Sequence, residues 1–164
     1  RFARLTGLIG VIHIGGYSEI EVREKKDRID DALQATRAAI EEGIVPGGGV
    51  AYVRALQAVR VSGGFDVQND DQLQGVEILL RAIVEPIKCV AENVGVNGEV
   101  VLNEVNKYFT EQIGFNAKTH KYEDLLVAGV IDPAKVTRLA LENAASVSGM
   151  LLTTKSIITY LPQK

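Results

Sequence analysis

The stretch Glu19–Tyr52, EIEVREKKDRIDDALQATRAAIEEGIVPGGGVAY, constrains the fold of this chain more than any other. Charged residues fill its first half and alanines its second, and glycine and proline are absent until Gly43. This pattern predicts one uninterrupted helix over Glu19–Glu42, roughly 35 Å long. Ser18 is a natural N-cap, and Glu21 stands at the capping-box distance from it. Glu24 with Arg28, and Arg37 with Glu41, are four apart and are expected to add about 0.3 kcal/mol each. Gly43 is the expected C′ residue, and Pro46 marks the stop. Ile29, Leu33, Thr36 and Ile40 share one stripe with Val22 in line, whereas Asp31 points to the side of Ala35 and Ala38. A helix of this length exceeds what a small core covers, so it reads as a connector. The triple glycine Gly47-Gly48-Gly49 then turns the chain into a second helix.

The 164-residue chain fits one domain, or one domain with an appendage. Hydrophobic residues at 46% and charged residues at 24% are enough to bury a core while keeping a wet surface. The net charge of −3 is spread over mixed acids and bases, without a basic block. No nucleic-acid partner and no membrane partner is therefore expected. The lone Cys89 excludes an internal disulfide and reads as a small apolar helix residue. His13 and His120 lack neighbours at ligand spacing, so no metal site is expected. The longest apolar runs, Leu8–Ile14 and Leu125–Ile131, are broken by glycine and fall far short of the ~18 residues of a membrane span. No signal peptide is visible.

In order, the pattern predicts a strand over Leu8–Ile14 with no visible pairing partner, then the long helix and a helix over Val50–Val61. A Gly63-Gly64 loop, Ser62–Asn69, leads to a helix over Asp70–Ile83, which Pro86 separates from, or kinks into, another reaching Asn93. A short helix over Gly98–Lys107 follows. Gly114–Tyr122 suggests a hairpin or tight turn, and Leu125–Gly129 one helical turn. The last helix, Pro133–Leu152, is apolar on most faces through Val136, Leu139, Ala140, Ala144, Val147 and Met150. It is expected to be the buried centre of the domain. The tail Thr153–Leu161 is strand-like. The fold class is mainly α, with small β pieces.

Several places have the residue types for chemistry. The triple glycine brings backbone N–H groups to a helix start, suited to phosphate or ribose oxygens, or else it lets chain segments pass closely. No GxxxxGK[ST] follows, so it is not a Walker loop. Asp31 suits a general base or a carboxylate that positions water, or else an exposed aspartate paired with Arg28 or solvent. Asp132 suits paired ribose hydroxyls, or else an N-cap for the Pro133 helix. Asn116 reads either as a turn residue or as a base contact. Spacing alone leaves each alternative open.

Taken together, the runs Glu24–Arg28, Asp31–Ala39, Val45–Ala51, Gly114–Ala117, Gly129–Arg138 and Ala144–Thr154 resemble the group I chaperonins, the Hsp60/GroEL family. The runs occur in family order over nearly the whole chain. The group II branch shares the triple glycine, but Val50-Ala51-Tyr52 after it looks like group I. The resemblance covers the last third of a full chaperonin. It implies that residues 1–42 belong to an intermediate domain and 43–164 to the C-terminal half of an equatorial domain. The phosphate loop, the metal-binding aspartate and the apical domain would lie outside it.

The resemblance further implies an ATP-dependent protein-folding ATPase, with Mg2+ and K+ bound by ligands outside this chain. It implies that Asp31 aligns the attacking water and that Gly48 touches the ribose and base region. Asn116 and Ala117 would contact adenine, Val130 would pack on the base, and Asp132 would bind ribose hydroxyls. Lys118 departs from the small residue often found there. The implied partners are further copies in sevenfold rings, the co-chaperonin Hsp10/GroES and unfolded client proteins. The implied location is the bacterial cytoplasm, or the mitochondrial or plastid matrix in a eukaryote. A different reading of the same chain is a standalone helical assembly module without ATPase activity.

Overall fold

The computed structural model describes residues 10–108 and 112–160. The chain divides into two compact units, Arg1–Arg37 and Ala38–Lys164. The helix expected over Glu19–Glu42 forms as α1 (Glu19–Glu42). At its start the Ser18 Oγ accepts from the Glu21 N–H at 3.2 Å, while the Glu21 carboxylate accepts from the Tyr17 N–H at 2.8 Å. The capping box thus closes on the residue before the N-cap. Lys25 pairs with Glu21 at 2.7 Å and donates to the Gly15 carbonyl, and Arg28 pairs with Glu24 at 3.8 Å. The expected Arg37–Glu41 pair does not form; Glu41 pairs instead with Lys135. No residue of α1 is buried, and Leu33 and Ile40 on its apolar stripe are exposed. Gly43 ends the helix at φ +85°, where its lack of a Cβ matters.

The second unit holds the core. Beyond Gly43 come β1 (Ile44–Pro46), α2 (Val50–Val61), α3 (Asp70–Ala82), α4 (Glu85–Asn93) and α5 (Gly98–Lys107). These are followed by β2 (Ile113–Asn116), β3 (Lys121–Asp124), β4 (Ile131–Pro133) and α6 (Ala134–Thr153). Local chemistry sets the helix starts. Asn69 accepts from the Gln72 N–H at 2.9 Å to cap α3, and Asn97 accepts from the Glu99 and Val100 N–H groups to cap α5. Pro86 sits in the first turn of α4, where a missing N–H costs no hydrogen bond. Val50 and Val53 of α2, Ile87 and Ala91 of α4, Val101, Leu102 and Val105 of α5, Phe115 of β2 and Leu125 form one buried cluster. Arg54 laces α2 to this cluster by donating to the Val105 and Ile113 carbonyls at 3.2 and 2.8 Å.

Two antiparallel pairs complete the unit. The hairpin pairs β2 with β3, Phe115 opposite Tyr122, as Gly114–Tyr122 led one to expect. The other pair, β1 with β4, sets Val45 opposite Asp132 and has no local sequence signal. Between β3 and β4 the Leu125–Gly129 segment is one hydrogen-bonded turn. In it, the Asp124 carboxylate accepts from the N–H groups of Leu126 and Val127.

Other expectations also fail in the described residues. The final helix is not the buried centre: no residue of α6 is buried, and Met150 is 66% exposed. Only its first turns are docked. The Ala134 N–H donates to the Gly43 carbonyl, Tyr52 donates to the Thr137 carbonyl, and Lys135 and Arg138 pair with Glu41 and Glu42. Its apolar faces exceed the surface that α2–α5 offer it. Nor do residues 10–16 or 154–160 form strands, since neither segment finds a ladder partner. Leu8, Ile9 and Leu161, which belong to those two expected strands, lie outside the described residues. Of the two alternatives left open for Asp132, capping of α6 does not occur; Pro133 holds the N-cap position with no side-chain cap bond. No helix among the described residues is long and apolar enough to cross a membrane.

Candidate functional site

The glycine corner between β1 and α2 is built from three glycines with different duties. The Gly47 N–H donates to the Val130 carbonyl at 2.9 Å, and a Cβ there would stand 3.2 Å from that oxygen. Gly49 lies at φ +79°, and its Cβ would meet the Ile87 nitrogen at 2.7 Å, so only glycine lets α2 start against α4. Close passage therefore explains Gly47 and Gly49. Gly48 differs: it needs glycine for φ +63°, but the space beside it is open, the nearest atom being the Phe115 carbonyl oxygen at 3.9 Å. The start of α2 carries no side-chain cap, and its first N–H, that of Val50, donates to the Gly47 carbonyl at 3.2 Å.

The ladder β1–β4 brings the next residues to the same place. Val130 precedes β4, is bonded to Gly47, and packs partly buried on the core. Asp132 lies two residues further, paired in register with Val45. Its carboxylate is half-buried and makes no hydrogen bond or ion pair with another described residue. Burial pushes its carboxyl above the usual aspartate range. Beside it, Tyr52 donates to the Thr137 carbonyl at 2.8 Å, and its phenol is pushed up first by burial and then by the Asp132 charge.

The hairpin supplies the remaining wall. Asn116 is 7% exposed, and its side chain is spent at both ends. Its Nδ2 donates to Glu123 Oε1 at 2.6 Å, and its Oδ1 accepts from the Lys118 N–H at 3.0 Å. Its carbonyl accepts from the His120 N–H at 2.8 Å, where His120 takes φ +55°. Asn116 thus has the turn role that its position allowed. Ala117 packs against the core while staying partly exposed, and Lys118 is exposed. The Phe115 ring lies edge-on to His120 and tilted on Tyr122, which stiffens the tip.

Gly48, Asn116, Ala117, Val130 and Asp132 therefore belong to one unit. The β1–β4 ladder, the Gly47–Val130 bond and the approach of Gly48 to Phe115 link them. Asp31 belongs to the first unit; it is exposed, and Arg28 is paired with Glu24 rather than with it. No group of three or more His, Cys, Asp or Glu side chains among the described residues is placed to hold a metal. An open apolar cavity of about 230 Å³ lies between Tyr52, Ala82, Ile83, Pro86, Ala140, Leu141 and Ala144, but no charged group faces it. Sequence reasoning passed over Tyr52 and Glu123. Tyr52 carried no signal beyond being a tyrosine just after the glycines; Glu123 stood seven residues from Asn116, a spacing that has meaning only once the hairpin register is known.

The arrangement gathers a glycine with open space beside it, two partly buried apolar side chains and one half-buried carboxylate in one unit. A model of the TCP-1/cpn60 chaperonin family matches residues 4–161, nearly the entire sequence and both of its units. With that match and a mainly α fold in hand, the chain belongs to the TCP-1/cpn60 chaperonin family.

Proposed function

We propose that this chain acts as part of a group I chaperonin, an ATP-dependent machine that assists protein folding, and that it carries the adenosine side of the ATP site. In this reading Gly48 lies along the ribose and base, Ala117 and Val130 pack on the base faces, and Asp132 accepts hydrogen bonds from the ribose hydroxyls. Asn116 shapes the base-side wall. Asp31 aligns the water that attacks the γ-phosphate, for which an exposed carboxylate on a helix is chemically suited. Phosphate, Mg2+ and K+ would be held by residues outside this chain. Rings of further copies, the co-chaperonin Hsp10/GroES and unfolded clients would be its partners.

The observation that carries the reading is the half-buried Asp132 carboxylate, which makes no hydrogen bond or ion pair with a described residue, in the same unit as the open face of Gly48 in a chain of this family. The test is made in the intact chaperonin. Asp31→Ala is expected to abolish most ATP turnover while ATP still binds, and turnover that survives unchanged sinks the Asp31 role. Asp132→Ala is expected to weaken ADP binding by roughly tenfold, the worth of one lost charge-assisted contact. The standalone assembly reading draws on the bare apolar surface of α6. It predicts nucleotide-independent association and no effect of either substitution.

A further inference from the structure

The turn between α4 and α5 ends in Asn97-Gly98, the one Asn-Gly pair in the sequence. The fold holds each half of the pair for its own reason. Asn97 is the N-cap of α5, and its Oδ1 accepts from the Glu99 N–H at 2.9 Å and the Val100 N–H at 3.3 Å. Gly98 is buried, and a Cβ on it would stand 2.7 Å from Lys88 Cβ and 2.8 Å from Lys88 Cα, so α4 and α5 meet this closely only through glycine. The Lys88–Glu99 ion pair at 2.7 Å ties the same first turn to α4. Packing thus demands glycine next to the asparagine that capping employs. With no Cβ in the way, this is the least hindered pair for attack of a backbone nitrogen on a side-chain amide. The two cap bonds polarise the Asn97 amide carbonyl, and the Gly98 N–H makes no hydrogen bond with a described residue.

We propose that Asn97 is a self-modification site, converted to aspartate or isoaspartate in the folded protein at a rate set by opening of the first turn of α5. The Gly98 nitrogen gives up its proton and bonds to the Asn97 side-chain carbonyl carbon. The bond from that carbon to Nδ2 breaks, and the amide nitrogen leaves with the proton as ammonia. Water then adds across either C–N bond of the resulting cyclic imide, which gives aspartate or isoaspartate. In the closed turn Asn97 has ψ 119° and its carbonyl accepts from the Val101 N–H at 3.2 Å. The peptide plane after Asn97 has to swing, and the cap bonds break, before nitrogen reaches carbon. A helix end opens at lower cost than a helix centre, so the closed turn slows the reaction without forbidding it. The products differ in what they keep. Aspartate retains the cap oxygen and adds a negative charge at a helix N-terminus, where it is favoured. Isoaspartate lengthens the backbone by a methylene and carries the oxygen away from the N–H groups it capped.

The test incubates the intact protein in isotopically labelled water at mildly alkaline pH, native and in urea, and follows the tryptic peptide 89–107 by mass spectrometry. That peptide also carries Asn93, Asn103 and Asn106, followed by Val94, Glu104 and Lys107, which serve as internal standards. Labelled acid is expected to accumulate at Asn97 ahead of the other three, and faster as the pH rises. The native rate is expected to be about ten- to hundredfold below that in urea, the cost of opening two cap bonds. Asn97→Ser keeps a capping oxygen but cannot form the imide, and is expected to take up no label at this position. Native conversion at Asn97 no faster than at Asn103 or Asn106 overturns the proposal. A native rate equal to that in urea overturns it as well, because opening of the turn would then not set the rate. Undiminished label in the peptide from Asn97→Ser places the reaction on another asparagine, and that too overturns it.

Discussion

The hairpin β2–β3 and the ladder β1–β4 are both short antiparallel pairs, and each places a polar candidate at the glycine corner. They treat that residue in opposite ways. In the hairpin, Asn116 is buried and every polar atom of its side chain is engaged. In the ladder, the Asp132 carboxylate is half-buried and makes no hydrogen bond or ion pair with a described residue, though its charge acts on Tyr52. A local turn has its own donors close by in sequence, so it satisfies what it buries. A ladder joining segments almost ninety residues apart brings only backbone to the meeting point, and a side chain there stays available to a ligand. The comparison teaches that a local turn supplies partners for the polar group it buries, whereas a long-range ladder need not.

The largest test removes the corner on which both walls lean. Gly49→Ala forces a Cβ against the α4 backbone at φ +79° and is expected to destabilise the chain by about 3 kcal/mol or more in urea unfolding. Gly48→Ala meets open space, pays only for its φ of +63°, and is expected to cost about 1 kcal/mol. Equal costs would contradict the different duties assigned to the two glycines. Next, Glu123→Ala breaks the two bonds that close the hairpin tip and is expected to cost about 1–2 kcal/mol, with hydrogen exchange rising first at residues 113–124.

Asp132→Asn should do the reverse. The folded-state pKa of Asp132 is raised, so its contribution favours the fold below the ordinary carboxylate pKa and is lost as pH rises through the raised value. The asparagine variant is thus expected to unfold at a slightly higher temperature than the parent at neutral pH and at the same temperature in acid. A lower melting temperature at neutral pH would mean that Asp132 has a structural partner after all. Smallest of all, Met150→Ala on α6 is expected to change stability by no more than about 0.5 kcal/mol, since the residue it replaces buries little in this chain.

Much of the fold was legible because its signals are local. The span of α1, its stop at Gly43, the helix boundaries near Asn69, Pro86 and Asn97, and the hairpin all follow from propensity, capping and turn chemistry within a few residues. The burial of α6 was misjudged for the opposite reason. An apolar composition records that a helix prefers cover, not that a neighbour is there to supply it. The strands expected at either end failed likewise, for want of a partner.

The candidate site divides along the same line. The sequence by itself determined which residue types were present: glycines able to take φ above zero, an asparagine at a turn, an aspartate before a proline. It also allowed each of them a structural alternative. Only the tertiary structure decided among those alternatives, because the deciding contacts are long-range. The Val130 carbonyl explains Gly47, the Ile87 backbone explains Gly49, and Glu123 explains Asn116. Of the two readings open for Asp132, capping fell away when β4 ran on to Pro133. Among the described residues, Gly48's open face and the Asp132 carboxylate remained without a hydrogen-bonding or packing partner, and that is a property of the folded surroundings that no spacing along the chain records.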